Sequence, residues 1–219
     1  MKTKIIDSYK QFGIWGLCSR TIRKCFSLIG ISYEDYYLLT RNLNDCKKRV
    51  VTVSDGVELR ILRLSDFENS YKNNNYLQYP SSKMDLVADR FDNSYEAFGA
   101  FFEGELIYAS WISYEREEMP GAHNGEKLPN DTALLLDDFC APHMRQKGIH
   151  GAVNQMRLNR LLECNSKYVI VTVMCVNKPA LKSHLKNGFN IYSKYYTLSI
   201  FGRKLSNLNK IMRKYETNR

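Results

Sequence analysis

A chain of 219 residues, 44% of them hydrophobic, can bury one sizeable core and still carry appendages. No apolar run approaches the ~20 residues that span a bilayer, and the N-terminus lacks the apolar core and small-residue cleavage site of a signal peptide. A globular, cytoplasmic protein is therefore expected. The net charge of +9 is unevenly spread. Lys2, Lys4, Lys10, Arg20, Arg23 and Lys24 against Asp7 give residues 1–30 a charge of +5; Arg203, Lys204, Lys210, Arg213, Lys214 and Arg219 against Glu216 give residues 203–219 another +5, leaving −1 for the rest. Basicity belongs to the two ends, which face something acidic or simply water. These ends lack the interleaved aromatic residues and recognised motifs of base contact, so no nucleic-acid partner is expected. The six cysteines (Cys18, Cys25, Cys46, Cys140, Cys164, Cys175) form no C-x-x-C pair and have no histidine at zinc-ligand spacing. They read as free thiols, and no metal site is expected.

Residues 9–29 read as an amphipathic helix: Trp15, Cys18, Ile22, Cys25, Phe26 and Ile29 share one arc, with Arg20, Arg23 and Lys24 opposite. Such a helix fits a membrane interface, which would put the protein peripherally at the inner face of the membrane. The other reading is that it packs on its own domain or on a homodimer partner. Tyr33 to Asn44 is read as a tyrosine-rich polar connection, and Lys47-Lys48-Arg49 marks a boundary. The expected organisation is a basic helical extension over 1–47, a catalytic domain over 48–204 and a basic tail over 205–219.

The central region opens with the alternating strand Val57 to Arg63. Residues 65–92 hold two short helices, with Asn73 to Asn75 and Pro80 to Ser82 as breakers. Glu96 to Phe102 and Leu106 to Tyr114 pair as a hairpin across Glu103-Gly104-Glu105. Pro120 to Asp131 is a loop, and Thr132 to Ala141 is a strand. Within it Asp137 and Asp138 must point to opposite faces, with Asp138 sharing the face of Leu134, Leu136 and Cys140. His150 to Cys164 is a helix, and Tyr168 to Val176 is a β-branched run suited to a strand covered on both sides. A short helix (Pro179 to Asn187) and a last strand (Asn190 to Ile200) complete the order.

The turn from Pro142 to Gly151 joins the strand to its helix. A glycine-bearing turn that opens a helix presents unpaired N–H groups and the positive end of the helix dipole, so its natural guest is an anion such as a pyrophosphate. Neither the P-loop nor the dinucleotide fingerprint is present. Arg145-Gln146-Lys147-Gly148-Ile149-His150 instead resembles the Q/R-x-x-G-x-G/A signature of the GNAT acyl-CoA transferase superfamily. Downstream, Asn177, Ala180, Lys186, Gly188 and Phe189 resemble that superfamily's N-x-x-A-x-x-x-Y-x-K-x-G-F pattern, with His184 where tyrosine is usual. The resemblance covers about residues 48–204.

The resemblance implies an α/β (α+β) GNAT fold: a central mixed, mostly antiparallel sheet of about six to seven strands flanked by helices, two of them splayed to hold CoA. It implies an N-acetyltransferase with acetyl-CoA as co-substrate, acting on a primary amine of a small molecule or amino sugar by direct attack, as in bacterial surface-polysaccharide synthesis. A protein or peptide acceptor and a catalytically silent acyl-CoA sensor are the alternatives. The pyrophosphate would rest on the backbone of Gln146, Lys147, Gly148, Ile149, His150 and Gly151, with charge from Arg145 or Lys147. Pantetheine would run along Phe139, Cys140 and Ala141, and Asn177 would contact the cofactor or simply cap its helix. Asp138 is the candidate base, with acceptor binding or an arginine partner as the other readings. His184 is the candidate acid; it would otherwise be an exposed helix histidine, with Tyr192, Tyr195 or Tyr196 in that role.

Overall fold

The computed structural model describes residues 26, 28–72, 81–114, 119–122 and 127–218. The chain divides into two units. A central unit holds Asn42–Tyr114 and Asn130–Val169; a terminal unit holds Met1–Arg41, Glu115–Pro129 and Ile170–Arg219.

In the central unit β2 (Val57–Ile61), β3 (Glu96–Phe102), β4 (Glu105–Ser113) and β5 (Thr132–Cys140) lie side by side in that order, every neighbouring pair antiparallel. The β3–β4 turn places Glu103 at φ 51° and Gly104 at φ 78°, the pair of left-handed residues that matches the twist of a two-residue hairpin. Helices α1 (Leu64–Lys72) and α2 (Ser81–Asp92) cover one face. Asp66 accepts the Arg63 N–H and so fixes the start of α1. Beneath these helices the core is Leu62, Phe67, Val87, Phe101, Leu106 and Trp111, with Phe67 stacked on the Trp111 indole at 5.3 Å and Phe91 edge-on to it at 5.2 Å. Helix α3 (Ile149–Glu163) buries Ile149, Ala152, Val153, Leu158 and Leu161, and it stops where Asn165 turns left-handed and the Ser166 N–H reaches the Leu161 carbonyl.

In the terminal unit the strands run β6 (Tyr168–Met174, its first two residues still in the central unit), β1 (Ile31–Asn42), β7 (Asn190–Ile200), β8 (Arg203–Ser206). The stretch from Tyr33 expected as a connection is therefore a strand of 12 residues. Its polar residues disguise a buried Tyr36-Tyr37-Leu38-Leu39 centre, and it pairs antiparallel with β7. Helix α4 (Lys178–Lys186) and helix α5 (Leu208–Asn218) belong to this unit, α5 burying Leu208, Met212 and Tyr215. The sequence marks no element after Ile200; the basic residues there fold as β8 and α5. The order from β2 to β7 is as expected, and eight strands are described against the six to seven anticipated. The expected helix over 9–29 lies outside the described residues apart from its last residues, as do Cys18 and Cys25.

Candidate active site

Strand β5 carries one residue more than β4 can match. Leu136 opposes Trp111 and Phe139 opposes Ala109, leaving Asp137 and Asp138 facing Ser110 alone. This is a β-bulge, and Asp137 takes the left-handed φ of 51° that it needs. The insertion corrects the strict alternation read from the sequence. Leu136 and Phe139, three residues apart, both pack toward the core under α1 and α2, so Asp138 does not share a face with Leu136.

Each of the two acids meets a buried arginine from a different helix. Asp137 Oδ2 lies 2.7 Å from Arg90 Nη1 of α2, while Asp138 Oδ1 lies 2.7 Å from Arg157 Nη2 of α3. The Arg157 side chain is 0% exposed, and its other terminal nitrogen donates to the Trp111 carbonyl at 3.2 Å. A desolvated guanidinium in this position requires an anion opposite it, and Asp138 supplies one. As a residue Asp138 is exposed, yet its carboxylate is mostly covered, so the surface it presents is largely main chain.

Beside this pair stand Tyr108 and His150. Tyr108 is the β4 partner of Cys140, and its hydroxyl hydrogen-bonds His150 Nδ1 at 2.8 Å. That nitrogen is 3.7 Å from Asp138 Oδ2. His150, Asn154 and Arg157 fall on one face of α3, the spacing that sets three polar groups in a row. Burial first, then the nearby Asp138 carboxylate, hold the Tyr108 phenol well above its ordinary 10.0, with Arg157 acting in the opposite sense. The phenol is a proton donor at physiological pH. Burial likewise pushes the Cys140 thiol up to about 11 against the pull of Arg145, so this sulfur is not a thiolate nucleophile.

After β5 the chain makes a 3-10 turn at Pro142–Met144, turns left-handed at Gln146 (φ 68°) and again at Gly148 (φ 77°), and enters α3. The first helical bond runs from the Ala152 N–H to the Gly148 carbonyl, which leaves the N–H groups of Ile149, His150 and Gly151 with no acceptor inside the helix. A Cβ built on Gly148 or on Gly151 would meet nothing within 4 Å. Backbone conformation explains glycine at 148, but the fold gives no reason for one at 151. The basic side chains lie along the turn: Arg145 donates through Nε to the Cys140 carbonyl, and Lys147 reaches Met144 Sδ and the Phe102 ring. The turn is braced from outside by Ser54, which donates to the Lys147 carbonyl. Along α3, Asn159 holds Arg49 by both its N–H and its carbonyl, and Lys48 pairs with Glu163 at 2.8 Å.

The structure thus gathers Asp138, Phe139, Cys140, Ala141, Arg145, Gln146, Lys147, Gly148, Ile149, His150 and Gly151 in the central unit. In the terminal unit Asn177 caps α4, accepting from the Ala180 N–H at 3.3 Å. His184 is buried within α4, edge-on to Phe189 at 5.3 Å, and so is not an exposed helix histidine. Burial raises the Tyr195 phenol well above its usual range. Tyr108, Arg90, Asn154 and Arg157 were missed from sequence. The 150/154/157 spacing carried the signal for two of them. His150 stands in the last position of the turn signature, where glycine or alanine is usual, so its side chain joins the Asp138 cluster.

No protein-family model matches the chain, and no curated protein matches it by sequence. Solved structures do. A tandem GNAT protein from the clavulanic acid biosynthesis pathway matches with a TM-score of 0.58 at 14% identity, over 83% of this chain and 57% of that one. A GCN5-related N-acetyltransferase from Sphaerobacter thermophilus matches with a TM-score of 0.57 at 11% identity, over 85% and 56%. One from Kribbella flavida gives 0.51 at 11%, over 85% and 65%. The matched region spans less than two thirds of each of these longer chains. With the strand order, the bulged strand and the turn ahead of α3, these likenesses establish that the chain has the fold of the GCN5-related N-acetyltransferases.

Proposed function

We propose that the protein is an acyltransferase that moves an acetyl group from acetyl-CoA to the primary amine of a small molecule or amino sugar. The observation that carries this reading is the turn between β5 and α3. Two left-handed residues, helix N–H groups without helical acceptors and a glycine at 151 that the fold does not require form a cradle for a diphosphate. A glycine in the first turn of a helix costs ~0.5–1 kcal/mol relative to alanine, and close approach of a ligand to the backbone is what would justify it.

In the reaction the amine nitrogen attacks the thioester carbonyl, its surplus proton leaves, the C–S bond breaks, and the sulfur departs as the thiol. The Asp138, His150 and Tyr108 cluster supports the proton steps. His150, in the tautomer that keeps Nδ1–H toward the Tyr108 oxygen, can take the proton from the incoming ammonium on Nε2, directly or through water, while Arg157 holds Asp138 in place beside it. The protonated Tyr108 phenol supplies a donor on the same face. Backbone N–H groups near Cys140 are suited to the developing oxyanion, a use of fixed donors worth several kcal/mol of barrier.

Calorimetry of the full chain with CoA and acetyl-CoA, together with thiol release against a panel of amines, tests this reading. Wild type should bind CoA and turn over at least one amine. Gly151→Ala should melt higher without ligand yet bind CoA at least tenfold more weakly. Absence of CoA binding refutes the proposal. Binding without turnover across the panel, unchanged by Asp138→Asn, points to an acyl-CoA sensor instead.

A further inference from the structure

The terminal unit ends in a tip that breaks the usual chemistry of hairpins. Ile200 opposes Arg203, so β7 and β8 are joined by Phe201 and Gly202 alone, at φ 47° and 83°. Such a two-residue turn normally holds asparagine, aspartate or glycine at its first position, because a bulky side chain resists the left-handed region. The hairpin between β3 and β4 departs from that preference as well, but with a polar residue, Glu103 at φ 51°. Here a phenylalanine accepts the strain and remains 79% exposed. Its N–H donates to the Gly30 carbonyl at 2.8 Å, and a Cβ on Gly30 would come within 2.9 Å of its ring. The tip therefore sits directly beside Leu28 and Ile29, which are exposed as well, as are Phe26, Ile200 and Leu205.

The charges at this tip have one sign. Arg203 and Lys204 are both exposed on the hairpin, and neither 26–33 nor 198–206 contains an acidic residue. An exposed apolar turn with cations on the same hairpin is suited to the boundary of an anionic bilayer: side chains insert among the acyl chains while the cations stay with the headgroups. We propose that the Phe201–Leu205 hairpin, with Leu28 and Ile29, is an insertion tip for a membrane surface rich in anionic lipid. The proposal does not rest on the acyltransferase reading.

The test is sedimentation of the full chain with vesicles of equal phosphatidylglycerol and phosphatidylcholine, and with pure phosphatidylcholine. Wild type should bind the first and not the second. Phe201→Asn restores a favoured turn residue and so should fold at least as well; combined with Leu205→Thr it should weaken vesicle binding by roughly tenfold or more. Arg203→Gln with Lys204→Gln should weaken it by roughly 25-fold, about fivefold for each cation, and raised salt should mimic this change. Melting temperature and CoA affinity serve as controls and should not fall. Vesicle binding that is equal in wild type and Phe201→Asn/Leu205→Thr overturns the proposal and assigns any binding to residues 1–25. Absence of vesicle binding overturns it too, and self-association that the same variants abolish would identify a second copy as the occupant.

Discussion

Asp138 and Arg157 face each other at 2.7 Å, with the arginine wholly out of solvent and its second nitrogen on the Trp111 carbonyl. Removing the cation strands both acceptors. Arg157→Met should therefore cost ~3–5 kcal/mol in urea denaturation, and adding Asp138→Asn should recover part of that loss. Independent, additive losses in the double variant would show that the two groups do not act as a pair.

The bulge in β5 depends on Asp137 in two ways, through its left-handed φ and through its contact with Arg90. Asparagine tolerates that φ and valine does not. Both Asp137→Asn and Asp137→Val should destabilise, with valine worse by ~1–2 kcal/mol on thermal or chemical denaturation. Equal stability of the two would mean that the backbone strain lies elsewhere.

Asn159 grips the main chain of Arg49 from both sides, so trypsin can cut after this residue only when the segment lifts off α3. Losing two hydrogen bonds of ~1 kcal/mol each should speed that cleavage ~10-fold or more in Asn159→Leu. The fragment pattern, followed by mass spectrometry, reads this directly. An unchanged rate would show that the segment is held by other contacts.

The thiols of Cys140 and Cys175 are both pushed by burial from 9.0 to about 11. At pH 8 iodoacetamide should therefore label the exposed Cys164 well before either of them. Because the folded values lie above the unfolded one, the stability these thiols contribute is complete below pH 9 and is lost as pH rises from 9 to 11. Melting temperature should fall across that window, and less steeply in Cys140→Ala. Equal slopes would remove Cys140 from the explanation.

The elements between β2 and β7 were legible because each carries a local signal: alternation in β2, two apolar runs across a glycine turn in β3 and β4, an apolar run in β6. Strand β1 was hidden by its composition. Its tyrosines and acids read as a loop, and only its pairing with β7 and its neighbour β6 explains why Tyr36 to Leu39 are buried. The turn at 145–151 was equally plain, since glycine placement reports backbone geometry. The cluster beside it was half visible. A bulge shifts register by one residue and leaves no mark in the side-chain pattern, so the facing of Asp138 was misjudged and its arginine partner went unnamed. Tyr108 lies in a hydrophobic strand, where nothing local separates it from an ordinary core aromatic.

Because β1 lies between β6 and β7, the terminal sheet cannot be completed during synthesis until the ribosome has released residues near 200. Strand β1 must wait for β7, which begins 148 residues after β1 ends. Such closure between distant segments gives high contact order and slow folding, and it leaves strand edges open meanwhile. A shortened version starting at residue 48 would keep the anion turn yet lose an interior strand, and should come out of cells as aggregate.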